Sequence, residues 1–513
     1  MKSILLSFIV LSTTLLLAQK DANTYDAAVP THYFDFSLKL VKETPGFTPP
    51  VAARAFGYMG LALYESVVPG MAERKTMEGT LYGLTHVTDP ETGVQYHWPT
   101  VANNALAIIT DSLFRTTPAA NKDSLHKIKD YYNDLFEAQL SAQLFNDSRA
   151  LGEAIGADIF DYSRTDGGHS CFAENFPANY VPPTGEEMWI PFGTQTSLQP
   201  YWGTHRPFIE EDTIEAISPP PPAFSSVPGS IFYESANEVY TTGLNLTLEQ
   251  MTIAAYWADG GGTVTPAGHS VSFLTDILVD GSVDLEFATL AYAKLGIAVS
   301  DAFLACWKTK FIYNLCRPVT YIRQYIDTSW LPLIGTPPFP EYPSGHSSQS
   351  GAMSEVLTDV FGSSFAFTDY THGDLFGEPR SFESFEEAAL EAANSRLYGG
   401  IHYTFGNQAG LDLGITVGQN VNELFEQLNV GTTDPNAPLT NISLYPNPTQ
   451  DYVSISGETN LEGTSYQLFD TYGKLISNGK LNAGITRLNV ASMAAGVYVL
   501  RLADDYAYKI IKN

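Results

Sequence analysis

The sequence predicts a mainly α protein, a helical bundle followed by a small all-β sandwich. Two patterns predict this. The body from about Asp21 to Asn429 reads mainly as helices, with apolar residues at helical spacing, and after the linker Val430-Gly-Thr-Thr-Asp-Pro-Asn-Ala-Pro the pattern changes to short alternating runs. A third observation locates the chemistry. In a chain of formal net charge -29, three short blocks between Lys310 and His402 gather three cations, a hydroxyl, a glycine and two imidazoles.

Taken in order, Met1-Lys2 precedes an apolar run, Ile4 to Leu17, that ends at Ala18-Gln19. A short basic start, an apolar core and a small closing residue read as an export signal. No later stretch reads as an unbroken membrane span, so the mature chain is expected to have none. The acidic balance argues against nucleic acid, whose phosphates it would repel, and is expected mainly to keep an exported protein in solution. Cys171, Cys306 and Cys316 offer no disulfide framework and no metal-ligand spacing, and three unbridged, mostly buried thiols are expected.

Within the body, Pro50 to Ser66, Val101 to Phe114, Asp123 to Leu144 and Ser148 to Ser163 read as packing helices. From Gly167 to Phe232 the periodicity fails and Pro, Gly, Ser and aromatics dominate, so this length should wrap the bundle and shape a pocket mouth. His169 there reads as a plain loop histidine. Thr247 or Asn245 caps the next helix. It leads to Asp259-Gly260-Gly261-Gly262, a weak phosphate-loop signal because no Lys-Ser/Thr follows. Asp259 reads as a turn residue or as the orienter of a site arginine, and His269 stays ambiguous.

Leu285 to Tyr313 reads as one long apolar helix carrying Trp307 and Lys310 on one face, with Asp301 pointing elsewhere as a structural contact. Arg317-Pro318 breaks it. Pro343-Ser344-Gly345-His346 then opens another helix, whose unpaired first-turn amides form an anion seat. Phe365 to Phe385 is irregular, and Ser381 or Ser384 caps the helix that ends in Ser395-Arg396. Gly399-Gly400 bends the chain so that Arg396 and His402 can meet.

Each residue type suits a tetrahedral oxyanion. Arg offers a planar fork of donors and Lys a point charge. Ser344 offers a hydroxyl, Gly345 a close backbone amide, and the two histidines can divide metal ligation from proton transfer.

The three blocks, Lys-x6-Arg-Pro, Pro-Ser-Gly-His and Ser-Arg-x5-His, resemble the signature shared by type 2 phosphatidic acid phosphatases and vanadium-dependent haloperoxidases. Pro337 to Tyr342, with Phe339 and with Trp307 beside Lys310, is similar to the haloperoxidase form, where such residues border the halide. The resemblance implies a helical-bundle haloperoxidase with vanadate as cofactor and hydrogen peroxide and halide as substrates, iodide before bromide before chloride, with an organic halogen acceptor as a further partner. It implies that His402 bonds vanadium and that Lys310, Arg317, Ser344, the Gly345 amide and Arg396 hold the oxygens. His346 would be the acid–base group, with Lys310 polarising the peroxide. The second reading is a secreted acid phosphatase acting through a phosphohistidine at His402. That pattern has an acid four residues after the last His, where this chain has Gly406, which weighs against it. A third, non-enzymatic reading is an adhesin that kept the fold.

The runs around Leu444, Val453 to Ile455, Tyr466 to Phe469, Thr486 to Val490, Val497 to Ala503 and Tyr508 to Ile511 read as strands. With Tyr445-Pro446-Asn447-Pro448 and the basic end, they resemble the type A sorting domain of the type IX secretion system, against an adhesive or carbohydrate-binding sandwich. The expected division is a signal peptide at 1–18, a catalytic domain at 19–429, a linker at 430–441 and a sorting domain at 442–513. The implied destination is the cell surface or exterior, by way of the periplasm and the type IX machinery.

Overall fold

The computed structural model describes residues 19–193, 196–373, 378–430 and most of 442–512. The expected signal segment and residues 431–441 of the expected linker lie outside the described residues.

Helix Leu285–Tyr313 is the axis of the bundle, and its ends follow from local chemistry. Asp284 accepts from the Phe287 amide at the start, and Asn314 takes the left-handed conformation at the end. By length and composition it could cross a membrane, contrary to the expectation that no such stretch follows the start of the chain. However, 89% of its most apolar window is buried inside the bundle. It is a core helix, apolar all round because it is surrounded. Pro49–Val67 packs along it, and Trp98–Leu113 packs against Ala142–Ser163.

Two site-bearing helices, Gly345–Phe361 and Thr404–Gln427, lie backbone to backbone through a seam of glycines. A Cβ on Gly414 would fall 2.0 Å from the Ser348 carbonyl oxygen, and one on Gly410 would fall 2.6 Å from that of Ser344. Only glycine permits this approach, and it fixes His346 against the chain that carries His402.

Several expectations shift. The run Asp123 to Leu144 is two helices, because the chain breaks after Glu137 and Ser141 caps Ala142–Ser163 by accepting from the Leu144 amide. Between Phe365 and Phe385 there are two short antiparallel strands, Phe367–Asp369 and Arg380–Phe382. Three residues are too few to show a period. Thr247 forms a capping box with Gln250, and Ser384, not Ser381, caps Phe385–Tyr398. The irregular span after Gly167 holds single turns at Cys171–Ala173, Trp202–Thr204 and Glu210–Thr213. Asp301 accepts from the Phe208 and Ile209 amides and so pins that span to the axial helix. All three cysteines are free, Cys306 and Cys316 buried and Cys171 half-buried.

The C-terminal region forms two antiparallel sheets. One has the order Ser443–Tyr445, Tyr452–Ser456, Thr486–Asn489. The other runs Leu475–Lys480, Ser465–Asp470, Gly496–Leu502, Tyr506–Lys512. Leu475–Lys480 was not expected as a strand, since its exposed side chains carry no alternation. Val453, Ile455 and Leu488 of one sheet share a core with Leu468, Leu500 and Ile510 of the other, as in a sandwich.

Candidate active site

The second and third sequence blocks line a cavity of about 620 Å³, and Arg317 of the first reaches His402 in its wall. His346, Arg396, His402, Gly345, Trp307 and Phe339 line it, together with Asp259 and the glycines that follow it. Phe176 and Leu198 from the irregular span contribute to its wall, as expected.

Ser344 is the N-cap of helix Gly345–Phe361, and its hydroxyl oxygen accepts from the Ser347 amide at 3.4 Å. Its own O–H therefore stays available to donate. The first-turn amides of Gly345 and His346 have no carbonyl to reach within the helix. A Cβ at Gly345 would clear Trp307 by 3.4 Å, so the missing side chain leaves space on the cavity side.

Arg317 enters from the loop after the axial helix. Its Nε donates to the Phe339 carbonyl at 2.9 Å, and its Nη1 lies 2.8 Å from the Ile401 carbonyl and 3.0 Å from His402 Nε2. Arg396 places Nη1 2.9 and 3.1 Å from the ring nitrogens of His346. Arg317 Nη2, Arg396 Nε and Arg396 Nη2 are buried without a hydrogen-bond partner. Two buried guanidinium groups with unused donors beside a helix N-terminus fit an oxyanion, because leaving such donors unmet is costly.

His402 is held from behind by a residue that the sequence did not reveal. Glu341 Oε1 accepts from His402 Nδ1 at 2.8 Å and from the Tyr403 amide at 3.1 Å. This assigns the proton to Nδ1 and leaves the Nε2 lone pair toward Arg317. A Cβ on Gly406 would fall 2.3 Å from Glu341 Oε1. The acid absent at position 406 is thus replaced in space by Glu341, and its absence no longer weighs against the phosphatase chemistry. Burial raises Glu341 to about 7, opposed by Lys310 and Arg317. Burial, followed by Arg317, Lys310 and Arg396, holds His402 well below the ordinary histidine value. His346 is likewise held well below, by burial and then Arg396. Both rings are neutral near pH 7, as a ligand and a base require.

Lys310 differs from expectation. Its Nζ donates to the carbonyls of Pro340 at 2.9 Å, Glu341 at 2.9 Å and Pro343 at 2.5 Å. All three of its N–H bonds therefore point at the loop beneath the site, and no donor remains for the cavity. Burial, followed by the repulsion of Arg317, lowers its ammonium to about 7. Phe339 is gripped by its carbonyl bond to Arg317, and the Arg317 guanidinium lies 4.9 Å over its ring. Trp307 packs beside it with centroids 4.8 Å apart and donates to the Leu198 carbonyl.

Asp259 orients histidines, not an arginine. Its Oδ1 lies 2.8 Å from His372 Nε2 and its Oδ2 3.0 Å from His269 Nδ1, with His346 Nε2 at 3.9 Å. Asp369 Oδ2 lies 2.7 Å from His269 Nε2. Against its burial, Asp259 and Asp369 raise His269 to about 10. His372 and Asp369 gave no sequence signal, since each is a lone residue in an irregular segment. His169 lies apart from the cavity, 3.1 Å from Arg115 Nη1.

Comparison with known proteins agrees with this geometry. Residues 290–431 match the VCPO second helical-bundle domain. A bacterial vanadium-dependent iodoperoxidase of known structure superposes with a TM-score of 0.68 at 33% identity, covering 77% of this chain and 96% of that one. The chain belongs to the vanadium-dependent haloperoxidases. A bacterial vanadium-dependent chloroperoxidase shares the fold, with a TM-score of 0.58 at 15% identity over 76% of this chain and 95% of its own. The vanadium chloroperoxidase of Curvularia inaequalis is 33% identical over 87 residues, 14% of the length of each. Residues 443–513 of this haloperoxidase match the secretion system C-terminal sorting domain, which supports a secreted or cell-surface location.

Proposed function

We propose that this haloperoxidase oxidises iodide, and less readily bromide and chloride, with hydrogen peroxide on a vanadate held at His402. The observation that carries this is the set of unpaired buried donors on Arg317 and Arg396 beside a carboxylate-braced histidine whose unprotonated Nε2 faces Arg317. The likeness to an iodoperoxidase at 33% identity supports iodide.

His402 Nε2 would hold the metal. Arg317, Arg396, the Ser344 hydroxyl and the Gly345 amide would take the oxyanion's oxygens. Vanadate bound there supplies Lewis acidity that activates hydrogen peroxide toward halide. His346, neutral and braced by Arg396 Nη1, accepts a proton from incoming peroxide and returns it as the oxidised halide leaves. Lys310 acts from behind, fixing the loop that carries Glu341 and adding charge without touching the anion. Trp307 and Phe339 form the apolar rim where a weakly hydrated halide sits. An export signal at residues 1–18 and the type IX route complete the reading, with an organic acceptor downstream of the oxidised halide.

The phosphatase reading keeps one specific support, the Glu341–His402 pair, which would equally orient a nucleophilic histidine. One experiment separates the two. Chelator-treated protein is assayed for triiodide formation from iodide and peroxide, and for hydrolysis of a phosphate monoester, with and without added vanadate. Vanadate-dependent triiodide formation is expected. Ester hydrolysis that vanadate inhibits, with no triiodide, overturns the proposal.

A further inference from the structure

Behind the cavity wall lies a cluster that halide oxidation does not explain. Asp259 comes from the turn after helix Leu248–Tyr256, His269 from helix Thr265–Gly281, and Asp369 and His372 from the strand Phe367–Asp369 and the turn after it. The side chains of Asp259, His269 and Asp369 are fully buried and that of His372 nearly so. One donor atom from each of Asp259, His269 and His372 lies within 4.8 Å of the others.

We propose that Asp259, His269 Nδ1 and His372 Nε2 form a site for a first-row divalent cation of the Zn2+ type, separate from the oxyanion seat, with Asp369 bracing His269 from behind.

Four features support the site. The first is ligand chemistry: two imidazoles and a carboxylate are a donor set that Zn2+ accepts, with bonds of about 2.0–2.2 Å. Donors at that range around a common tetrahedral centre stand roughly 3.3 Å apart. Asp259 Oδ1 stands 3.2 Å from His269 Nδ1 and 2.8 Å from His372 Nε2, so one oxygen faces both imidazoles and only the second separation needs to open slightly.

The second is the brace. Metal-bound histidines give their remote N–H to a carboxylate, and Asp369 stands 2.7 Å from His269 Nε2. Asp369 is itself fixed by the Thr371 amide, which donates to its Oδ1 at 2.9 Å.

The third is charge. Both nitrogens of His269 face carboxylates, which only accept. Two carboxylates beside two neutral imidazoles place two negative charges in a buried cluster. A divalent cation between Nδ1 and Asp259 removes both, which matters most where no water reaches. Arg396 lies close enough to feel the Asp259 charge but makes no hydrogen bond to it, its Nη1 being on His346.

The fourth is access. Asp259 and the three glycines after it line the large cavity, and Asp259 itself has φ +43°. A cation there would stiffen the wall against which His346 rests.

The test uses the full chain without an affinity tag, stripped with chelator and kept free of vanadate. It is incubated with zinc sulfate, desalted, and its metal content measured by plasma mass spectrometry. About one zinc per folded chain is expected, with a rise in melting temperature on loading. His372→Ala should retain roughly a tenth of that or less and lose the melting shift, with circular dichroism confirming its fold. Asp369→Asn keeps all three donors and should weaken zinc about 10- to 100-fold in competition with a chelator. Folded wild type that retains no zinc overturns the proposal, as does equal retention by wild type, His269→Ala and His372→Ala. The four side chains would then be a metal-free hydrogen-bonded network. Neither outcome depends on vanadate binding or on halide oxidation.

Discussion

Glu341→Gln removes a single charge from behind His402 while keeping the side chain's length. In the native chain Oε1 accepts from His402 Nδ1 at 2.8 Å and from the Tyr403 amide at 3.1 Å, inside a fully buried site. The Gln amide oxygen can accept both bonds, so the change isolates the charge-assisted part. Bonds to charged groups contribute about 1.5–3 kcal/mol and neutral ones about 0.5–1.5, so His402 loses roughly 1–1.5 kcal/mol of orientation. Replacing a residue behind a metal-bound histidine typically costs about 10- to 100-fold in metal affinity, or roughly 1.4–2.7 kcal/mol. The two ranges meet near a tenfold weakening. Chelator-treated protein titrated with vanadate, read by triiodide rate and by bound vanadium after equilibrium dialysis, measures it. Burial raises Glu341 to about 7, so its carboxyl is ionised above that pH and protonated below it. The gap between wild type and Glu341→Gln should therefore widen as pH rises through about 7 and close below, where the native side chain resembles Gln. Because a side chain at 406 would enter the space of Glu341 Oε1, Glu341→Ala with Gly406→Asp should recover part of the loss. A Gln variant that binds vanadate within about twofold of wild type near pH 8 would refute the assignment of Glu341 as the brace.

Arg396→Lys should weaken vanadate at least about tenfold, since charge-assisted bonds contribute roughly 1.5–3 kcal/mol each. Its cost in melting temperature should be confined to the Nη1 contact with His346, because Nε and Nη2 have no protein partner to lose; a large melting shift with intact vanadate binding would contradict this. Lys310→Met should lower stability in urea by about 3–5 kcal/mol by stranding the buried carbonyls of Pro340, Glu341 and Pro343. Undiminished stability with lost vanadate binding would place the Lys310 charge on the anion instead. Burial, with neighbouring acids adding, raises Glu65 and Glu286 to about 7 and Asp276 to about 6. Through these carboxyls the folded chain binds protons that the unfolded one has lost between about pH 4.5 and 7, so their contribution to stability falls as pH rises through that window, by roughly 3 kcal/mol for Glu65 alone, while the lowered His346 and His402 act in the opposite sense. Glu65→Gln should therefore gain on wild type in thermal midpoint as pH rises across the window; a difference that does not change with pH would show that Glu65 titrates normally.

What was legible in the sequence was local, and what was not required contacts between distant residues. Helix Leu285–Tyr313 could be read to its ends because its cap, its apolar run and its stop are neighbours in the chain. The oxyanion donors could be read because each block carries its own geometry: Arg beside a helix-breaking Pro, Gly at a helix start, Arg ahead of a glycine turn. The direction of Lys310 was not legible, because it is decided by carbonyls 30 to 33 residues away. The cluster of Asp259, His269, Asp369 and His372 was hidden for the same reason, with partners as far as 113 residues apart.

Glu341 is the instructive case, because half of its signal was visible. A histidine expected to bond a metal needs a brace for its remote nitrogen, and the position that would supply one holds Gly406. A vacant side-chain position beside an obligatory role implies a substitute from elsewhere, and a buried substitute must be an acceptor. The sequence offers one acid in the proline-rich turn that leads into the second block, Glu341, between Pro340 and Tyr342. An acid in so apolar a setting requires a partner, and a histidine without its acid requires one too. The two unmet needs answer each other, and Glu341 stands behind His402. The same reasoning marks Gly406 as the position where a carboxylate should be able to return once Glu341 is removed.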